Sequence, residues 1–256
     1  LCFNVNSFGI TQSVIIKGTV TGTDGGRYLN QPVNISIIED FITNTRKVIK
    51  KGFTDEYGNY NLSVQLKKTQ FAIITLEKIE RTLFLSPGKS YFINITAPIK
   101  DLENSHGFFA KDVRKAIIKN LYPGEINFLI DSLERMSSNF LYTSGNKRRN
   151  YKFVKLFTDS VQITFKSFQN QFFTKYLDFK IAELQMYVLR QFRDEFANSY
   201  FDNSSGLSDN IQGMQVFSMF FKGHMKNGIQ TLDKSPFHTY ILKGDLNRML
   251  AEVYKK

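Results

Sequence analysis

At Pro98 the spacing of apolar residues changes period, and this change constrains the fold more than any other feature of the 256-residue chain. Before it, apolar and polar residues alternate in short runs broken by turn residues. After it, apolar residues recur every three or four positions. Alternation is the signature of half-buried strands, and the 3.6-residue period that of helices with one buried face. The expectation is an α+β chain: a seven-stranded antiparallel β-sandwich over residues 10–98, then an all-helical domain over 99–256.

The clearest strand entry is TDEYGNYNLSV, residues 54–64. Asp55 and Gly58 supply turn chemistry, and Tyr60, Leu62 and Val64 then share one side while Asn59, Asn61 and Ser63 share the other. The same reading places strands at 14–21, 33–38, 47–53, 60–66, 71–76, 81–85 and 91–96. Gly22-Thr23-Asp24-Gly25-Gly26 and Pro87-Gly88 punctuate them.

In the second half, Val113, Ile117 and Leu121 predict a short helix that Pro123-Gly124 ends. Ile126, Leu129, Leu133, Met136 and Phe140 predict another. Val154, Phe157, Val161, Phe165, Phe168, Phe172 and Tyr176 predict one long helix, with Asp178 capping a next that carries Ile181, Leu184, Val188, Phe192, Phe196 and Tyr200. A final helix is expected over 244–254.

Three stretches, VIIKGTVTG (14–22), TDEYGNYNLSV (54–64) and LSPGKSYFINI (85–95), resemble the carboxypeptidase-regulatory-like or transthyretin-like sandwiches of exported Bacteroidetes proteins. FFTKYLDFKIAELQMY followed by VFSMFFKGHM is similar to the helical segment that in such proteins precedes a thioredoxin-like domain of the TlpA type. The resemblance covers residues 13–250 and implies an exported protein of the periplasm or outer membrane. The family's CxxC has no counterpart here, since Cys2 is the single cysteine. The chain is then either the N-terminal part of such a protein or a relative without the redox domain.

Residues 1–9, LCFNVNSFG, read either as the tail of a secretory signal or as a first strand of the mature fold. A lipoprotein reading would make Cys2 the acylated residue. No run reaches the roughly 18 apolar residues of a membrane-spanning helix.

Chemistry is sparse. One cysteine rules out an internal disulfide, and with three histidines (His106, His224, His238) a metal site would lean on carboxylates. The pairs Glu39-Asp40, Asp55-Glu56 and Asp194-Glu195 are adjacent in sequence, so their side chains diverge on a strand or helix. Asp55, Glu56 and turn carbonyls could hold calcium weakly; alternatively Asp55 bonds its own turn. GTDGG lacks the lysine and helix of a phosphate loop, and no nucleophile elbow or triad motif is present, so a hydrolase would require an unrecognised arrangement. No catalytic residue, cofactor or metal is assigned, and a small-molecule ligand is left open.

The net charge of +11 is spread along the chain, which fits solubility and weak attraction to anionic surfaces better than a nucleic-acid footprint. Its densest cluster is Lys147, Arg148, Arg149, Lys152 and Lys155. Met214, Phe217, Phe220 and Phe221, with Val216 and Met219, form an apolar cluster that reads as a partner groove or a buried helix. These two stretches are the expected protein-binding surfaces. Tyr57, Tyr60 and Tyr91 are the candidates for an exposed aromatic contact on the sandwich. The function expected is a non-catalytic exported accessory module that positions a partner or a thioredoxin-like domain. The alternative is a stand-alone binding or assembly subunit of an outer-membrane or cell-surface complex.

Overall fold

A computed structural model describes residues 11–41, 43–77, 79–97, 115–188, 196–202, 207, 209–231 and 248. Strands β1 (Gln12–Gly22), β2 (Pro32–Asp40), β3 (Thr45–Phe53), β4 (Asn59–Leu66), β5 (Gln70–Leu76), β6 (Ile79–Leu85) and β7 (Ser90–Ala97) lie where alternation predicts them. In β4 the alternation is complete: Tyr60, Leu62, Val64 and Leu66 are buried and the residues between them exposed. They meet Val14 and Ile16 of β1 in register, with Ile16 opposite Leu62 and Val14 opposite Val64. One continuous core joins these residues to Val33, Ile35, Ile74, Leu76, Leu85, Ile93 and Ile95 from both sheets.

The strand count and one pairing differ from expectation. An eighth strand, β8 (Lys115–Ile118), stands where Val113, Ile117 and Leu121 predict a helix. It pairs antiparallel with β7, with Ile93 opposite Ile118, and Ile118 joins the sandwich core. Three apolar residues four apart fit a helix, but the free edge of β7 offers a hydrogen-bonded ladder that a segment this short can take up. The strand orders are β4-β1-β7-β8 and β3-β2-β5-β6. All pairings are antiparallel except β1 with β7, which run parallel.

Gly18 of β1 lies so close to β7 that a Cβ would stand 1.9 Å from the Ile93 carbonyl oxygen. The Tyr60 hydroxyl reaches across this gap and donates to that same oxygen at 2.5 Å. At one sheet edge, β3 carries exposed Arg46, Lys47, Lys50 and Lys51.

The helical part contains α1 (Ile126–Ser144), α2 (Tyr151–Phe165), α3 (Gln171–Met186) and α4 (Ile211–Thr231), with a 3-10 turn at Gly145–Arg149 and a π-helical turn at Asn198–Asp202. The single long helix expected from Val154 to Tyr176 is two helices. Asn170 accepts from the Phe173 amide at 3.0 Å and starts α3, whereas Asp178 lies exposed inside α3 and caps nothing. The apolar period survives the break because Phe168, in the connection, keeps ring contact with Phe165. Residues 1–9, Cys2, Phe192, Asp194, Glu195, His106 and His238 lie outside the described residues, as does the expected 244–254 helix apart from Arg248.

The two parts meet at β6. Phe84 sends its ring away from the sandwich core into a cluster with Ile126, Leu129, Leu133, Phe173 and Tyr176. Its neighbours there include Phe71 at 5.4 Å, Phe172 at 5.5 Å and Tyr176 at 5.7 Å between ring centroids. The Asn127 side chain, at the start of α1, accepts from the Phe84 amide at 2.7 Å and donates to its carbonyl at 2.9 Å. Glu125 caps α1 through the amides of Asn127 and Phe128, and its other oxygen accepts from the Asn127 side-chain amide at 2.9 Å. Burial pushes the Glu125 carboxyl above its usual range against these hydrogen bonds.

Candidate interaction surfaces

The basic segment occupies the end of the helical layer where α1 passes into α2. Lys147, Arg148 and Arg149 form the 3-10 turn, and Lys152 and Lys155 lie in the first turns of α2. Asn150 caps α2 by accepting from the Phe153 amide. Lys147 lies 5.8 Å from the centre of the Phe153 ring and Arg148 the same distance from Tyr187. Lys155 pairs with Asp159 at 2.7 Å. Among the described residues the other four cations form no ion pair. Two large apolar side chains are exposed at this end, Tyr142 at 90% and Leu156 at 70%, and Ile163, 75% exposed, lies about 10 Å further along α2.

The second expected surface is only partly a surface. Val216 of α4 is fully buried, Met214, Phe217 and Phe220 are half-buried, and Met219 and Phe221 are exposed. Phe217, Phe220 and Phe221 pack with Phe201, and Phe220 stacks on Phe196. Helix α4 approaches α3 closely at Gly213, where a Cβ would stand 2.8 Å from the Phe179 ring. The cluster thus packs α4 onto residues 196–202 and, through Val216, onto Phe179 and Ala182 of α3, and shows solvent one edge.

A polar network that motif reading missed ties α1, α3 and α4 together. Lys180, buried on the apolar side of α3, donates to Glu134 and Glu183 at 2.8 Å each. The Tyr176 hydroxyl donates to the second oxygen of Glu134 at 2.8 Å, and Gln212 of α4 donates to Glu183 at 2.7 Å. Burial draws the Lys180 ammonium down, but the two carboxylates outweigh it and hold it above its ordinary value. Its signal in the sequence is a lysine inside the stripe Tyr176, Leu177, Ile181, Leu184. These bonds join α1, α3 and α4, so the arrangement is a three-helix clasp.

On the sandwich, Tyr57 is exposed beneath the Arg27 guanidinium, whereas Tyr60 and Tyr91 are buried in the core. The Tyr91 hydroxyl accepts from the Ser86 amide at 3.0 Å. The expectation of exposed contact fails for both because they take the inward positions of their strands. Asp55 serves its turn: one oxygen accepts from the amides of Tyr57 and Asn59, both at 2.8 Å. The Asn59 amide leads the causes holding its carboxyl below the usual range. Glu39 pairs with Lys47 at 2.9 Å while Asp40 accepts from Thr43, so that pair points apart as expected.

Among the described residues there is no group of three or more metal-ligating side chains, and no helix is long and apolar enough to cross a membrane. A cleft of about 100 Å³ between α2 and α3 is lined by Val154, Lys155, Asp159, Ile181 and Gln185. It is well below the several hundred Å³ of ordinary small-molecule sites.

No family model and no curated protein matches the chain. Solved structures give distant likenesses. The shaft pilin SpaA of Lactobacillus rhamnosus GG is 10% identical over 35% of this chain and 49% of its own, with a TM-score of 0.24. A protein from Eubacterium rectale is 11% identical over 44% and 92%, with a TM-score of 0.23. A candidate cell adhesion protein from Bacteroides ovatus is 15% identical over 43% of both chains, with a TM-score of 0.17. The chain spans about half the length of the pilin. Likenesses this distant carry no argument about this chain.

Proposed function

We propose that this chain is a non-catalytic, exported accessory module of the cell envelope that works by surface contact. It would be a relative of the Bacteroidetes sandwich-plus-helix proteins whose motifs it resembles. The observation that carries the reading is the end of the helical layer at Lys147–Lys155. Four cations there, which form no ion pair among the described residues, stand beside Tyr142 and Leu156, large side chains that the fold itself leaves in water, while the buried ionisable groups Glu125 and Lys180 are engaged in capping and clasping. A side chain such as Leu156 gains from a covering surface. Phe84 and Asn127 supply the matching mechanical property, since they fasten the helices to the sandwich and let a contact made by one part position the other.

A second reading, a stand-alone assembly subunit, is favoured by the exposed edge of the α4 cluster at Met219 and Phe221. Photo-crosslinking in cells producing the natural full-length protein separates the two. A crosslinker at Leu156 should trap a defined envelope component, and one at Lys50 on β3 should not. A crosslink only from Met219 would favour the second reading. Robust turnover by the purified chain, abolished by one point substitution, would overturn both.

A further inference from the structure

The buried residues of α2 are Val154, Thr158, Val161 and Phe165. At about 100° per residue, Lys152, Leu156 and Ile163 fall within about 40° of one another on the opposite, solvent-facing side. Two large aliphatic side chains therefore stand at the outer pole of the helix, where charged residues are the rule. Lys152 shares that pole, and Lys147, Arg148 and Arg149 precede it in the 3-10 turn. Tyr142, at the C-terminal end of α1, projects into water at the same end of the layer.

We propose that the outer face of α2, together with the turn that precedes it, docks lengthwise on an anionic lipid surface, with Leu156, Ile163 and Tyr142 entering the headgroup region and Lys147, Arg148, Arg149 and Lys152 meeting lipid phosphates. Interfacial helices combine just these two elements, an apolar strip that enters the boundary and cations that hold to negative headgroups. A membrane fits better than an acidic protein groove because the apolar residues occupy the convex pole of one helix. The cleft beside α2 is on its flank, at Lys155 and Asp159, whose charges cancel. The proposal deepens the contact reading, on which it rests, by naming the surface contacted.

The test is flotation of the full chain with phosphatidylcholine vesicles, with and without phosphatidylglycerol, at low and high salt. Binding should require the anionic lipid and weaken with salt. The paired change R149E with K152E should lower partition on the order of tenfold or more. L156S with I163S should lower it several-fold at unchanged net charge. K50E with K51E alters the net charge as much as the first pair but lies on β3, and should leave binding nearly unchanged. All four positions of the helical variants are exposed, and circular dichroism checks the fold. Equal loss from the β3 pair, no loss from L156S with I163S, or no binding to anionic vesicles overturns the proposal. If vesicles fail while the Leu156 crosslinker traps an acidic protein, the lipid surface is wrong and the contact reading stands.

Discussion

The side chain of Asn127 and the backbone of Phe84 bond each other twice, amide to carbonyl in both directions, as two neighbouring strands would. Strand β6 is the last of its sheet, and a single asparagine from α1 supplies the ladder partners it would otherwise lack. Asn120 does likewise for β7 beyond the end of β8, accepting from the Phe92 amide at 2.8 Å and donating to the Ser90 carbonyl at 2.7 Å. Asn127→Ala would leave the Phe84 groups buried and unpaired, at a cost of about 2–4 kcal/mol. Urea denaturation should show it. An unchanged midpoint would mean that water replaces the amide without loss.

Phe84→Ala tests the other half of the same junction. Its ring is buried among Phe71, Phe172 and Tyr176, and truncation should cost about 3–5 kcal/mol. Because the ring belongs to the helical core while its backbone belongs to the sheet, limited proteolysis should cut the 119–125 connection sooner in the variant. Equal cleavage rates would locate the fastening elsewhere.

Lys180→Met would strand Glu134 and Glu183 beside each other without their cation. With Glu134 partly exposed, the expected loss is roughly 2–4 kcal/mol. Adding Glu134→Gln and Glu183→Gln should recover much of it. If the triple variant is no more stable than the single one, the clasp is not electrostatic.

Gly58 sits at φ +78° in the turn before β4, and a Cβ would stand 2.8 Å from the Val20 carbonyl oxygen. Gly58→Val should therefore lower stability by about 1–3 kcal/mol, read as a reduced melting temperature. The same temperature as the parent would show that the turn relaxes freely.

Alkaline pH should unfold the protein through its buried tyrosines. Burial pushes the Tyr91 hydroxyl up to about 12, and raises Tyr60 and Tyr176 as well. In the unfolded chain these groups ionise near 10. A folded value above the unfolded one means stability is complete below about pH 10 and is lost as pH rises through about 12. Tyrosinate absorbance from this set should appear together with loss of far-ultraviolet dichroism. Ionisation of the whole set near pH 10 with native dichroism retained would contradict this placement.

The strands were legible because period two is a local property. Tyr60 shows that the same alternation also carries burial: its place beside Leu62 and Val64 already put it inward, against the expectation of exposure. Helix boundaries were less legible, since the stripe from Val154 to Tyr176 keeps its spacing through a turn that only the Asn170 cap betrays. Strand β8 escaped because four residues hold too little period to outweigh the free edge of β7. Asn127 and Lys180 depend on partners more than forty residues away in Phe84 and Glu134, and no local pattern encodes those pairs. The basic segment was visible as charge, but the exposure of Leu156 and Ile163 follows only from where α2 turns its buried side.

The cations along β3 have a consequence for the protein's behaviour among copies of itself. An outermost strand with unpaired backbone groups is a template onto which another molecule can add its own strand, and Val48 and Phe53 on β3 are exposed enough to reward such pairing. Arg46 and Lys47 are paired with Glu80 and Glu39, and the charges of Lys50 and Lys51 make any two such edges repel before their ladders can join. At the other margin of the same sheet, on β6, Asn127 occupies the ladder positions of Phe84 directly. Growth of this sheet from molecule to molecule is thus opposed by charge at one margin and by occupied hydrogen-bonding positions at the other.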